Sequence, residues 1–370
     1  MKKVLITGAN GFMGKNLCAE LDRQEGIKIL RFGSENTHKE LQKLVQEADF
    51  IFHFAGVNRP VDDVEFDLGN RELTQIIVAA LQKLKKQTPV FLSSSIQAEL
   101  DNPYGKSKKA AEEAIFELEK SNGNPVYAYR LPNVFGKWCK PNYNSVVATF
   151  CNNIASGKDI SINDPNTKLT LIYIDDIIRE CLKCLSGEVK PSTKPLTIQP
   201  QFTITLKELA DKIYAFKNSR KTILLPNFEN DFDRYIYATY TSYLETHDFG
   251  YDLEMKHDDR GWLGEFLKSK QFGQIFVSKT KPGITRGNHW HHTKIEKFLV
   301  VSGEAEIKFR KLETEEVYCY KVTGDQLRVL DIPAGYTHSI KNTGNSDLIT
   351  IFWSDEIFNP EAPDTNFLEV

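Results

Sequence analysis

The hydrophobic period of the chain changes once, near residue 245, and this excludes a single uniform architecture. Upstream, apolar runs alternate with amphipathic stretches: "KVLITGA" with "FMGKNLCAELDRQ", "IKILRF" with "THKELQKLVQEA", "DFIFHFAG", "PVFLSSS" with "PYGKSKKAAEEAIFELEKS", and then "VYAYRLPNVFG". Short apolar runs without alternation mark strands covered on both faces. With helices between them they predict an α/β unit, a doubly wound parallel sheet. Thr37 and Glu40 have the spacing of a capping box, and Pro103 suits the first turn of a helix. Downstream come "GQIFVSKT", "EKFLVVSGEAEIKFRKL", "VYCYKV", "QLRVLDIP" and "DLITIFW", with glycine turns between. These short, alternating segments predict an all-β sandwich or barrel. The expected domains are 1–245 and 246–370.

A chain of 370 residues has room for two such cores. Its net charge of −3 provides no basic footprint, so neither nucleic acid nor an acidic membrane surface is an expected partner. Six cysteines at irregular spacings do not read as a disulfide framework. "CLKC", with Cys181 and Cys184, falls in a helical stretch without a second pair and reads as core packing. The apolar run in "MKKVLITGAN" is too short for a signal-peptide core. No apolar stretch reaches spanning length. The expectation is a soluble cytoplasmic protein.

"TGANGFMG" places Gly8, Gly11, Phe12 and Gly14 between a strand and a helix. Glycines there let the backbone approach a pyrophosphate at the helix N-terminus. "PYGKSK" places Tyr104 and Lys108 one turn apart on one helix face. An ammonium beside a phenol favours the phenolate, so Tyr104 is expected to have a lowered pKa and to act as a general acid/base. Ser93, Ser94 and Ser95 end the preceding strand, where a hydroxyl can hold the same substrate oxygen.

Together these motifs, with "DFIFHFAG", "RLPNVFG" and "LIYIDDI", resemble the nucleotide-sugar branch of the extended short-chain dehydrogenase/reductase family over roughly residues 1–243. That resemblance implies a Rossmann-type fold. It implies that Ser95, or Ser94, orients the substrate oxygen, that Tyr104 transfers the proton, and that Lys108 supports Tyr104 and the cofactor ribose. It further implies Asp49 near the adenine ring and Asn133 against the sugar nucleotide. Family dehydratases carry an Asp-Glu pair after the catalytic hydroxyl; Ile96 and Gln97 stand here, which disfavours loss of water. NAD-preferring members place an acid after the second strand, whereas this strand ends with Arg31, which suits the 2′-phosphate of NADPH. The family arginine before "YIDD" is replaced by Leu169.

Four of the eight histidines fall in two motifs of the second unit. In "RGNHWHHTKIE", His289 and His291 alternate on an expected strand and point to one face, with Glu296 a turn later; "PAGYTH" adds His338. Three imidazoles and a carboxylate suit a divalent transition metal, with zinc the first choice. His292 points the other way. The spacings Gly283-x5-His289-x-His291-x4-Glu296-x6-Gly303 and Pro333-x-Gly335-x2-His338-x3-Asn342 resemble both signature motifs of the cupin superfamily, with a longer hairpin between Gly324 and Pro333. That implies a jelly-roll barrel. "DDRGWLGEF" with Arg260, and "ITRGNH" with Arg286, resemble 3,5-epimerases of 4-keto-6-deoxy sugars. In those enzymes the position of His289 is the base, which conflicts with a role as ligand. Both roles stay open.

A 4-ketone acidifies the neighbouring C–H bonds, and a reductase then removes the ketone. The order of domains, with "HFAGVNRP", "FGKWCKPNYNSVVATFC", "RGNHWHHTK" and "FLEV", resembles the CapF-type family of bifunctional capsule and O-antigen enzymes. That resemblance implies C3 epimerisation of a UDP-linked 4-keto-6-deoxy amino sugar by the β unit. NADPH reduction at C4 then yields UDP-N-acetyl-6-deoxy-L-talosamine, in a homodimer. Two alternatives remain: a redox-neutral NAD-dependent 4-epimerase with a sugar-binding β module, and a reductase carrying a purely structural metal scaffold.

Overall fold

The computed structural model describes residues 1–58, 62 and 66–370. The last two residues of "HFAGVNRP" lie outside the described residues. The chain forms two compact units, residues 1–213 with 235–245, and residues 214–234 with 246–370.

The first unit is built on five parallel strands: β1 (Lys2–Thr7), β2 (Ile27–Phe32), β3 (Phe50–His53), β4 (Val90–Ser95) and β5 (Val126–Leu131). Their order is β2-β1-β3-β4-β5. Strand alternation divides the apolar side chains between two faces. Leu5, Ile51, Leu92 and Ala128 pack with Leu41, Val45, Ile77, Leu81, Ala111 and Ile115 from the helices His38–Glu47, Leu73–Leu84 and Pro103–Asn122. Each fully buried Leu or Ile contributes about 1.5–3 kcal/mol through the apolar surface it removes from water. On the other face Phe91 stacks on Tyr129, with ring centroids 4.9 Å apart. The Tyr129 hydroxyl donates to Glu180 in the helix Ile174–Ser186, at 2.6 Å. Cys181 and Cys184 are buried, unpaired thiols of that helix. A smaller sheet holds β6 (Asn133–Phe135), β7 (Lys168–Tyr173) and β8 (Phe202–Thr205). The strand order reverses direction at β1, so the carboxyl ends of β1 and β3 form the crevice where such sheets bind ligands.

In the second unit, one sheet has the order β16-β13-β18-β11-β10-β9 and the other β15-β14-β17-β12-β19. The strands are β9 (Met255–Asp258), β10 (Gly261–Ser269), β11 (Gly273–Thr280), β12 (Thr285–Trp290) and β13 (Glu296–Ser302). They continue with β14 (Glu304–Lys311), β15 (Val317–Thr323), β16 (Val329–Ile332), β17 (Tyr336–Asn342), β18 (Leu348–Ser354) and β19 (Asn366–Phe367). All pairings are antiparallel. Phe298, Val300, Leu330 and Phe352 from one sheet pack with Ile307, Phe309 and Ile340 from the other. Residues 214–234 join this unit through the backbone: Lys268 N–H donates to Ile223 and Leu225 N–H to Lys268, both at 2.8 Å. Among the described residues, no helix is long and apolar enough to cross a membrane.

Candidate functional site

The glycine loop leaves β1 at Thr7. Gly8 has φ +68°, and a Cβ there would lie 2.8 Å from the Ala55 backbone nitrogen. A Cβ on Gly14 would lie 2.1 Å from the Gly8 carbonyl oxygen. Only glycine permits this packing of helix on loop. The helix Phe12–Leu21 starts at Gly11 with no side-chain cap and no acid in its first turn. Its first N–H groups and positive dipole end are therefore free to meet an anion. These features fit the pyrophosphate of a dinucleotide. Beside the loop, Arg31 lines a cavity of about 330 Å³ with Asn10, Lys15, Asp22 and Trp138. Its guanidinium is half-exposed and paired with Asp22 at 2.7 Å.

Asp49 is not part of this site. It precedes β3, its backbone N–H donates to Lys3, and its carboxylate accepts from the Lys3 N–H at 2.8 Å. That is the amino end of the sheet. At roughly 3.3 Å per residue, the length of β3 separates it from the crevice by about 13 Å. The apolar run in "DFIFHFAG" shows a strand, but the ligand end is the one after His53.

Ser94 is corrected as well. Alternation turns it onto the face covered by the helix Pro103–Asn122, where it is buried and its hydroxyl donates to Glu112. The same Glu112 receives a bidentate fork from Arg130, at 2.9 and 2.8 Å. Ser95 lies at the strand end, where its hydroxyl accepts from Gln97 N–H at 3.1 Å and acts to lower the Tyr104 phenol pKa. Asn102 caps the tyrosine helix, its side chain accepting from Gly105 N–H at 2.7 Å, and Pro103 follows. One turn on from Tyr104, Lys108 is buried, and its ammonium donates to the Ser93 carbonyl at 3.1 Å. That ammonium lies 5.9 Å from the centre of the Tyr104 ring.

The expected lowering of the Tyr104 pKa is not found. Burial pushes the phenol up, and the Ser95 hydroxyl only partly opposes this. The strain of burial falls on Lys108 too: desolvation pushes its ammonium down to about 8, with Glu112 acting the other way. Between pH 8 and the ordinary lysine value near 10.4, the unfolded chain therefore binds more protons than the folded one. Stability should rise with pH across that window, and the full cost, on the order of 3 kcal/mol, is carried below it. Lys108→Met should be more stable than the parent at pH 7 and lack that rise, which urea unfolding from pH 7 to 10 would measure.

Asn133 is exposed on β6 and donates to the Thr170 carbonyl at 3.2 Å. Ile96 and Gln97 form the turn after β4, with Ile96 exposed, and supply no acid there.

In the second unit, His289, His291, Glu296 and His338 come together, their ligand atoms within 4.8 Å of one another. His289 and His338 are partners across β12 and β17, and Glu296 opens β13 on the facing sheet. A bulge shifts the β12 register between Gly287 and His289, with Asn288 at φ +58°. His292 is exposed and outside the cluster. The Nε2 atoms of His291 and His338 lie 3.2 and 3.5 Å from Glu296 Oε2. Both nitrogens are buried without a hydrogen-bond partner. Ligands about 2.05 Å from a tetrahedral zinc lie about 3.3 Å apart, so the spacing and the orphaned nitrogens fit a metal. Burial, reinforced by His338 and His291, pushes His289 down to about 4, so it is neutral near pH 7. Burial alone would raise the Glu296 carboxyl, but the imidazoles and Lys294 hold it well below the usual carboxylate range.

Arg260 and Arg286 meet at Asp258, not at the histidines. Arg260 donates to it from Nε at 2.9 Å, and Arg286 Nη2 lies 3.6 Å away. Burial, with Arg260 adding to it, lowers the Arg286 pKa despite that carboxylate. Two neighbours of the cluster escaped motif reading. Lys294 is buried, with its ammonium 3.7 Å from Glu296. Asp364 receives the backbone N–H groups of His292, Thr293 and Lys294. Neither lies at a spacing that marks it in advance.

Comparison with known proteins adds the following. Residues 4–194 match the NAD dependent epimerase/dehydratase family, and residues 256–366 match the polysaccharide biosynthesis C-terminal domain. The chain is 45% identical to a UDP-2-acetamido-2,6-beta-L-arabino-hexul-4-ose reductase of Pseudomonas aeruginosa, over 98% of this chain and 97% of the relative. It is 49% identical to the crystal structure of the capsular polysaccharide assembling protein CapF from Staphylococcus aureus. That match has a TM-score of 0.93 and covers 99% of this chain and 100% of the other. A UDP-glucuronic acid 4-epimerase from Bacillus cereus, in complex with NAD, shares the fold of 65% of this chain at 17% identity, covering 98% of that structure with a TM-score of 0.57.

Proposed function

The chain belongs to the NAD dependent epimerase/dehydratase family, in its CapF-type form with a polysaccharide biosynthesis C-terminal domain, and on that premise we propose a two-step action on one nucleotide sugar. The β unit, residues 246–370, epimerises a UDP-2-acetamido-2,6-dideoxy-4-ketohexose at C3. The α/β unit, residues 1–245, reduces the C4 ketone with NADPH and yields UDP-N-acetyl-6-deoxy-L-talosamine for capsule or O-antigen synthesis. The observation that carries this reading is full-length identity of 45% to a reductase named for such a 4-ulose.

In the reduction, the loop of Gly8, Gly11, Phe12 and Gly14 would hold the pyrophosphate of the dinucleotide and Lys108 its ribose, and the nicotinamide would supply a hydride to C4 when bound. Ser95 holds the ketone oxygen. Tyr104 gives that oxygen its proton as the alcohol forms. Lys108 stabilises the phenolate that results, since its ammonium is one turn away on the same helix. Asn133 is assigned to the sugar nucleotide from its place on β6. Arg31, supported by Lys15 in the same cavity, holds the 2′-phosphate. Arg31→Ala should reduce the preference for NADPH over NADH by at least about tenfold, the loss of one charge-assisted phosphate contact. Parallel kcat/KM measurements with the two cofactors check it.

For the epimerisation, the 4-ketone acidifies the C3 hydrogen, which is given up to solvent water as a proton and replaced from solvent on the other face without net redox change. A zinc ion held by His289, His291, Glu296 and His338 would polarise the ketone. We assign His289 to that ligand set, which excludes it as the free base. Arg260 and Arg286, joined at Asp258, are assigned to the nucleotide phosphates. The homodimer belongs to the same proposal and rests on family resemblance.

The deciding experiment incubates the whole chain with a UDP-linked 4-keto-6-deoxy amino sugar, with and without NADPH, and reads products by NMR. One NADPH should be consumed per alcohol formed at C4. Turnover without NADPH consumption would replace this reading with a redox-neutral 4-epimerase.

A further inference from the structure

We infer that Asp364 is a positioning residue of the metal centre, orienting His291 and the ligand loop after it without touching the metal. This rests on the metal-centre reading above. The loop 291–296 carries two of the four ligands within six residues. Three of its backbone N–H groups point at one carboxylate. Asp364 Oδ1 accepts from His292 N–H at 2.7 Å, and Oδ2 from Thr293 and Lys294 N–H at 2.8 and 2.9 Å and from the Thr293 hydroxyl at 3.2 Å.

The backbone of Asp364 performs a second task. Its carbonyl oxygen lies 2.5 Å from His291 Nδ1. An imidazole that donates from Nδ1 carries its lone pair on Nε2, the atom that faces Glu296 and has no hydrogen-bond partner. The following residues tie the same segment to the ligand strand. Asn366 and Phe367 pair with Trp290 and His289, and Leu368 N–H donates to the Asn288 carbonyl at 3.0 Å. The segment 364–368 therefore holds the His291 tautomer, the direction of the loop and the backbone level of His289. When the Asp364 side chain is lost, three backbone N–H groups of the loop and the Thr293 hydroxyl lose their acceptor, and the carbonyl over His291 is held less firmly.

The test measures zinc affinity of the full chain by competition with a chromogenic chelator, together with the visible spectrum of the cobalt-substituted protein. Asp364→Ala should weaken zinc binding by about 10–100-fold and alter the cobalt bands. Asp364→Asn keeps one accepting oxygen and should fall between; it decides alone if the alanine variant does not fold. A residue that only stabilised the loop would lower the unfolding midpoint and leave affinity and spectrum unchanged, and that result overturns the inference. If the unsubstituted chain binds neither zinc nor cobalt, the metal-centre reading itself fails, and this inference with it.

Discussion

Tyr104→Phe should reduce NADPH-dependent formation of the C4 alcohol by about 10²–10⁴-fold, the range for loss of a positioned general acid. The Tyr104 phenol is near enough to the Ser95 hydroxyl for that hydroxyl to lower its pKa. Burial pushes its pKa up, so it is protonated at neutral pH, as a donor in the reductive direction must be. The aromatic ring stays, and with it the contact to Phe66, whose centroid lies 5.6 Å away. The fold should therefore be unaffected, and the loss should appear in kcat with little change in KM. Deuterium uptake from solvent at C3 of the keto sugar should persist in this variant. If reduction survives, Tyr104 is not the acid; if uptake is lost too, the two steps do not use separate side chains.

The second large effect is the converse. His291→Ala should abolish C3 deuterium uptake, by at least about a hundredfold, while NADPH oxidation continues with a sugar already epimerised at C3. His291 is 1% exposed and brings its Nε2 to 3.2 Å from Glu296. Removing one of four ligands leaves a shell that cannot hold a tetrahedral ion tightly. Chelation of the unsubstituted chain should reproduce the loss, and added zinc should restore it there but not in the variant. Unimpaired uptake after complete metal removal would leave the ion a structural role only.

Much of the fold was legible because it depends on local period. Strand runs, helix faces, the Thr37–Glu40 capping box and the return of glycine turns after residue 245 all follow from spacing along the chain. The same logic placed Tyr104 above Lys108 on one helix and His289 with His291 on one side of a strand end. It failed where the answer needs a neighbour from elsewhere. Ser94 and Ser95 are chemically alike, and only the helix packed over β4 shows that Ser94 is taken up by Glu112. Asp49 adjoins the right strand at the wrong end. Lys108 sits near Tyr104 as spacing requires, yet burial pushes the phenol pKa up, with only Ser95 acting against it.

By itself, then, the sequence determined which residue types recur at which spacing: a glycine loop at a helix start, a tyrosine and lysine one turn apart, three histidines and a glutamate in two strand motifs. Those are short-range properties, carried by the pitch of a helix and the pleat of a strand. Only the tertiary structure decided which end of the sheet is the ligand end, that Ser94 is taken up by Glu112, and that Asp364 lies against His291, 73 residues away. Such pairings depend on how a sheet closes and which edge a late strand joins. No local spacing encodes them, because they arise from packing between segments that are distant in the chain.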